Sequence, residues 1–124
     1  MRLKLLALLA FLSAATGLRA LTPTAEIESL LGYLGGLDGA VFIRNGSEHT
    51  AAEAVSHLRL KWDKQRDQIA TAEDFIRLCG TQSSLSGQPY QIRFKDGTTR
   101  PCADVLTARL HYIRQKTALP AAPK

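Results

Sequence analysis

Histidine and cysteine are scarce in this chain, with three of one and two of the other among 124 residues. The shortage bears on metal chemistry, because zinc sites draw three or four ligands mainly from these residue types. A GxSxG elbow and an SxxK pair are both missing, and these are short motifs that hold a serine nucleophile in working geometry. No dense Lys/Arg block marks a nucleic-acid surface, and there is no internal repeat. Long apolar runs are absent too. The longest, LLALLAFLSAA from Leu5 to Ala15, is shorter than the roughly 20 residues of a membrane span.

What that run does fit is a signal peptide. MRLK gives it a positive start, small residues follow it, and Thr16, Gly17 and Arg19 stop it from extending. Residues 1–20 are therefore expected to be a secretory signal peptide. Cleavage can follow Gly17 or Ala20, and Ala20 is preferred. No cysteine lies near either junction to carry a lipid anchor. The mature protein is expected to be periplasmic, with no stable membrane insertion. Loss of Arg2, Lys4 and Arg19, with no acidic residue, takes the formal net charge from +5 to +2. With it goes the electrostatic case for a nucleic-acid partner.

About 104 residues then remain, enough for one small domain and too few for two. The domain is expected over 21–117, with the Pro/Ala-rich residues 118–124 as a flexible tail. Ile27, Leu30, Leu31 and Leu34 keep the spacing of an amphipathic helix, which Thr22 or Thr24 can cap and Gly35-Gly36 ends. VFIR reads as a strand, and Asn45-Gly46 as a two-residue hairpin turn, since both positions tolerate positive φ. Such a turn sets Arg44 opposite Ser47, Ile43 opposite Glu48 and Phe42 opposite His49.

Thr50-Ala-Ala-Glu53 matches a capping box. Val55, Leu58, Trp62 and Ile69 make an apolar stripe along the helix it opens, with Lys61 and Lys64 among the charged residues away from it and His57 at its edge. Another helix starts at Thr71, carries Glu73 and Asp74 in its first turn, buries Phe75, Ile76 and Cys79, and ends at Gly80. YQIRF alternates at Tyr90, Ile92 and Phe94, turns at Asp96-Gly97 and returns as TTR, a second hairpin. ADVLTARLHYIRQ closes the domain as a helix with Leu106, Leu110 and Ile113 on one side. The expected fold is α+β, in the order helix, hairpin, helix, helix, hairpin, helix, with a small antiparallel sheet and the helices mainly on one face.

His49, Glu53 and His57 stand four residues apart, which invites a metal or catalytic reading. Distance argues against a shared ion, because eight helical residues rise about 12 Å while imidazole nitrogens sit about 2 Å from zinc. Glu53 already serves the capping box, and His49 belongs to the hairpin. No metal and no cofactor is expected.

FIRNGSEHTAAEAVSHLRLKW, together with the later FI and SSLSGQPY, resembles the YfeK-like family of small secreted bacterial envelope proteins with a domain of unknown function. The resemblance covers most of the mature chain. It implies secretion and a compact mixed fold, and it implies no reaction, cofactor or partner.

The polar stretch TQSSLSGQPY, about ten residues, is longer than the usual connection in a compact domain, and such loops are often functional. With the Asn45-Gly46 hairpin it can present hydroxyl and backbone groups to an envelope protein or glycan. Arg44, Ser83, Ser84, Ser86 and Tyr90 are the binding candidates, and Arg44 with Arg93 can supply an anion-binding rim. On this reading the protein is a non-enzymatic binding or interaction module. The alternative is a small envelope hydrolase with Ser83, Ser84 or Ser86 as nucleophile and His49 or His57 as base, for which no orienting group or oxyanion hole is evident. No catalytic residue is assigned. A purely structural envelope protein is the third reading.

Cys79 ends a helix just before the loop, and Cys102 follows the strand returning towards YQIRF, so both fall near one end of the second hairpin. In an oxidising compartment a Cys79–Cys102 disulfide is expected, and two buried thiols are the alternative. The bridge would close a loop of about 24 residues. This expectation rests on the residues alone and not on the resemblance.

Overall fold

The structure, a computed structural model, describes residues 20–118; the expected signal peptide, apart from Ala20, and the expected tail beyond Ala118 lie outside the described residues. Thr22 opens helix α1 (Pro23–Gly35): its hydroxyl oxygen accepts from Ala25 N at 3.1 Å, and Pro23 takes a first-turn position where its missing N–H has no helical partner to lose. Ile27, Leu30, Leu31 and Leu34 all turn into the core. Strands β1 (Val41–Arg44) and β2 (Ser47–His49) follow, joined by Asn45 and Gly46 at φ of 53° and 77°. The register is the expected one, with Phe42 against His49, Ile43 against Glu48 and Arg44 against Ser47.

Helix α2 (Ala51–Lys64) begins with the Thr50/Glu53 capping box. It is shorter than its apolar spacing predicts, because Gln65 leaves helical geometry and a 3₁₀ turn over Arg66–Gln68 carries the chain to half-buried Ile69. Gln65 Nε2 reaches Leu78 O, which ties the end of α2 to α3 (Ala72–Cys79), and Asp74 accepts from both Ala70 N and Thr71 N at the start of α3. Gly80 ends α3 in a tight place: a β-carbon there would lie 2.7 Å from Leu106 Cδ1.

Strands β3 (Gln91–Arg93) and β4 (Thr99–Pro101) form the second hairpin, and α4 (Cys102–Ala118) completes the order. The two hairpins share one antiparallel sheet, in the order β2-β1-β3-β4, with Phe42 opposite Ile92 at the join. Strand alternation sends Phe42, Tyr90 and Ile92 into the core, while Glu48, Gln91 and Thr99 on the other side are exposed. Leu30, Trp62, Phe75 and Leu106, one from each helix, meet that buried side in a single cluster. The fold is α+β. Among the described residues, no helix is long and apolar enough to cross a membrane.

The expected Cys79–Cys102 disulfide is not formed. Both residues are free thiols in the core. Cys79 follows its helix face towards Gln65, whose Nε2 lies 3.9 Å from the sulfur, while Cys102 packs beside Phe42, Leu58 and Tyr90. Nearness to the same hairpin end does not bring the sulfurs together, because each side chain is aimed by its own helix. Both pack as small hydrophobes.

Candidate functional site

The polar loop is far more organised than its composition suggests. Ser83 is buried, and its hydroxyl oxygen accepts from Asn45 Nδ2 at 3.2 Å, Leu85 N at 3.2 Å and Ser86 N at 3.4 Å. Ser83 N donates to Gln88 O, Gly87 N to Ser83 O and Tyr90 N to Thr81 O, which closes residues 81–90 on themselves. Gly87 supplies the positive φ, 74°, that the reversal requires. The Ser86 hydroxyl donates to Asn45 Oδ1. Asn45 thus works twice: its backbone makes the first hairpin turn, and both ends of its amide clamp the loop. Ser83 and Ser86 are engaged in folding, while Ser84 and Leu85 stay in solvent, Leu85 at 93% exposure.

Held this way, the loop forms one wall of an open groove of about 380 Å³. Helix α2 forms the other wall with His57, Leu60, Lys61 and Lys64, and Arg44 and Tyr90 also line it. The Tyr90 hydroxyl lies 3.0 Å from His57 Nε2 and accepts from Lys61 Nζ at 3.1 Å; Lys61 Nζ also donates to Gln82 O at 3.0 Å. These side chains converge because His57 and Lys61 are one helical turn apart, and Tyr90 precedes Ile92 by two on the inward side of the strand. Lys61 is only 8% exposed, a correction to its expected place among the solvated charges. The signal was available: Lys61 falls three residues after Leu58, on the buried stripe.

Burial, then the charges of Arg44, Lys61, His49 and Lys64, hold the His57 pKa below its ordinary 6.5. At neutral pH the ring is therefore uncharged, and the tautomer it takes sets which partner donates in its bond to the Tyr90 hydroxyl. Among the described residues no Asp or Glu lines the groove. Elsewhere Arg59, Arg66, Arg77, Arg93, Lys95 and Arg114 each lie within 4 Å of a carboxylate oxygen. Among the described residues, Arg44, Lys61 and Lys64 have no such partner. Arg93 does not join Arg44 in a rim, because it donates to Glu48 at 2.8 Å.

The histidine row resolves into folding roles. His49 Nδ1 lies 3.6 Å from Glu53 Oε1, the same oxygen that accepts from Thr50 N in the capping box. Beneath them a cavity of about 40 Å³, lined by Phe42, His57, Leu58 and Cys102 among others, has room for a water or two and none for a ligand. Among the described residues no group of three His, Cys, Asp or Glu side chains is placed to hold a metal. Among the described residues no serine hydroxyl is bonded to a histidine either, since Ser83 is held by Asn45 and His57 by Tyr90. A serine–histidine pair is not assembled among the described residues.

Of the five binding candidates, Arg44, Ser83, Ser84 and Tyr90 line the groove, and Ser86 sits on its clamp. Sequence reasoning missed Asn45 as the clamp and Lys61 as a buried wall residue. Over 66 residues the chain is 46% identical to the uncharacterized protein YfeK of Salmonella typhimurium, an alignment that covers 53% of this chain and 55% of that protein. The chain thus spans about half the length of the curated relative it matches. No solved structure matches it. The model of the family of unknown function DUF5329 matches residues 21–114, nearly the whole described domain, and the chain belongs to that family.

Proposed function

We propose that the protein is exported to the periplasm and acts there as a non-enzymatic binding module of the bacterial cell envelope, with the groove between α2 and the 81–90 loop as its ligand face. The clamp carries this reading. Asn45 holds Ser83 and Ser86, so a loop with little apolar anchorage is fixed beside a groove of about 380 Å³. Ligand sites commonly measure about 300–1,000 Å³ and are largely formed before binding. A wall already ordered spares the ligand much of the entropy cost of ordering it. Export is supported by the basic start and apolar run of residues 1–15. The occupant is an envelope protein or glycan.

A photo-crosslinking side chain at exposed Ser84, introduced in living cells, tests the face directly. Discrete adducts are expected there, and the same group at Lys116, which lies outside the groove, should yield none of them. Identical adducts from both positions, or none from Ser84, would show that the groove is not the ligand face.

A further inference from the structure

We infer that the groove is a receptor for an oxyanion, a phosphate or carboxylate borne by the ligand, held by Arg44, Lys61 and Lys64. The inference rests on the groove being the ligand face and adds the chemical class of what fills it. Lys61 is the central observation. Its ammonium has three N–H donors; one meets Gln82 O and one meets the Tyr90 hydroxyl, and the third has no acceptor among the described residues. The side chain is more than nine-tenths buried and lines the groove. A cation buried without a counter-charge is costly. An arriving oxyanion satisfies both the free donor and the charge.

The other cations fit the same ligand. Arg44 is half-buried at the end of β1 and presents a planar fork suited to two oxygens of one group. Lys64 stands one turn beyond on α2, in solvent, where it adds attraction at the mouth. The exposed Ser84 can donate a hydroxyl. Among the described residues no carboxylate lines the groove, so none competes for the donors that Tyr90 and Gln82 leave free. Among the described residues the cations that escaped pairing with a carboxylate also include Arg100, Arg109 and Lys116, which lie elsewhere.

The test is an amide-shift titration of the full chain with inorganic phosphate and, separately, acetate, each matched in ionic strength with sodium chloride. Saturable shifts at Arg44, Ser84 and Leu85 are expected for at least one anion and not for chloride; which anion gives them separates a phosphate from a carboxylate receptor. The Arg44→Gln, Lys64→Gln double variant, altered only at positions open to solvent in part or whole, should bind about tenfold more weakly, whereas Lys116→Gln should bind as the parent does. Bound anion should also raise the His57 pKa, read from its ring protons, because Arg44, Lys61 and Lys64 then stand partly neutralised around a ring whose other titratable neighbours include His49, Glu53, Tyr90 and Cys102. Shifts that fail to saturate, or equal weakening in Lys116→Gln, overturn the inference. If the anions fail while Ser84 adducts persist, the groove binds a neutral ligand and only the oxyanion is refuted; if the adducts fail, the ligand face itself falls.

Discussion

At the scale of the residue, the groove depends on three side chains sharing one hydroxyl. The Tyr90 hydroxyl accepts from Lys61 Nζ and is hydrogen-bonded to His57 Nε2, so the cation and the imidazole meet on one oxygen. The pH dependence follows from the sign of the His57 shift. Its pKa is lowered in the folded protein, so the unfolded chain takes up the proton first as the solution is acidified. The stability this confers is complete above the unfolded value of about 6.5 and is lost as pH falls from there through the lowered folded value. Urea denaturation at about pH 7.5 and about pH 5.5 should show the loss, and His57→Gln should reduce it. An unchanged difference in that variant would assign the acid sensitivity to other groups.

At the scale of the element, short side chains set the boundaries. Thr50 with Glu53 and Thr71 with Asp74 each close a capping box, satisfying backbone donors at the starts of α2 and α3. Thr50→Ala and Thr71→Ala are each expected to cost about 1 kcal/mol in chemical denaturation. Because the two caps use separate partners, the double variant should lose close to the sum. A much smaller loss at Thr71 would mean that Asp74, which also accepts from Ala70 N and Thr71 N, starts α3 unaided. The first box is legible as Thr-x-x-Glu in the sequence, whereas at Thr71 the sequence shows a helix start with an acidic first turn and the structure adds the box. The end of α2 was not legible, since the apolar spacing continues to Ile69 while the chain leaves helical geometry at Gln65, whose side chain reaches across to Leu78 O on α3.

At the scale of the whole molecule, the helices are joined by charge as well as by the core. Arg114 on α4 donates to Glu26 on α1 at 2.9 Å and to Glu73 on α3 at 3.0 Å, which ties three elements at the edge of the cluster. The two thiols are part of that packing and not a brace across it. Burial pushes Cys79 up to about 11 and Cys102 up to about 12, so neither forms thiolate at neutral pH. Alkylation of the native protein is expected to label neither, two labels should enter after denaturation without reductant, and reductant should leave the melting temperature unchanged. Denatured protein that took no label would reveal a bridge.

What the amino-acid order determined by itself is local: helix starts, the Asn45-Gly46 turn and its register, the apolar residues that α1 turns inward, and the α+β class. These depend on groups within about four residues of one another, or on a fixed period of burial. Arg44, Ser84 and Tyr90 could be named as candidates, yet nothing in their spacing says they meet. Tertiary structure alone decided that the hairpins join through β1 and β3, that Asn45 clamps a loop 38 residues away, and that Lys61 is drawn under Tyr90 while the cysteines stay apart. Those outcomes turn on how one shared core orients each helix and strand, and no periodicity along the chain carries that information.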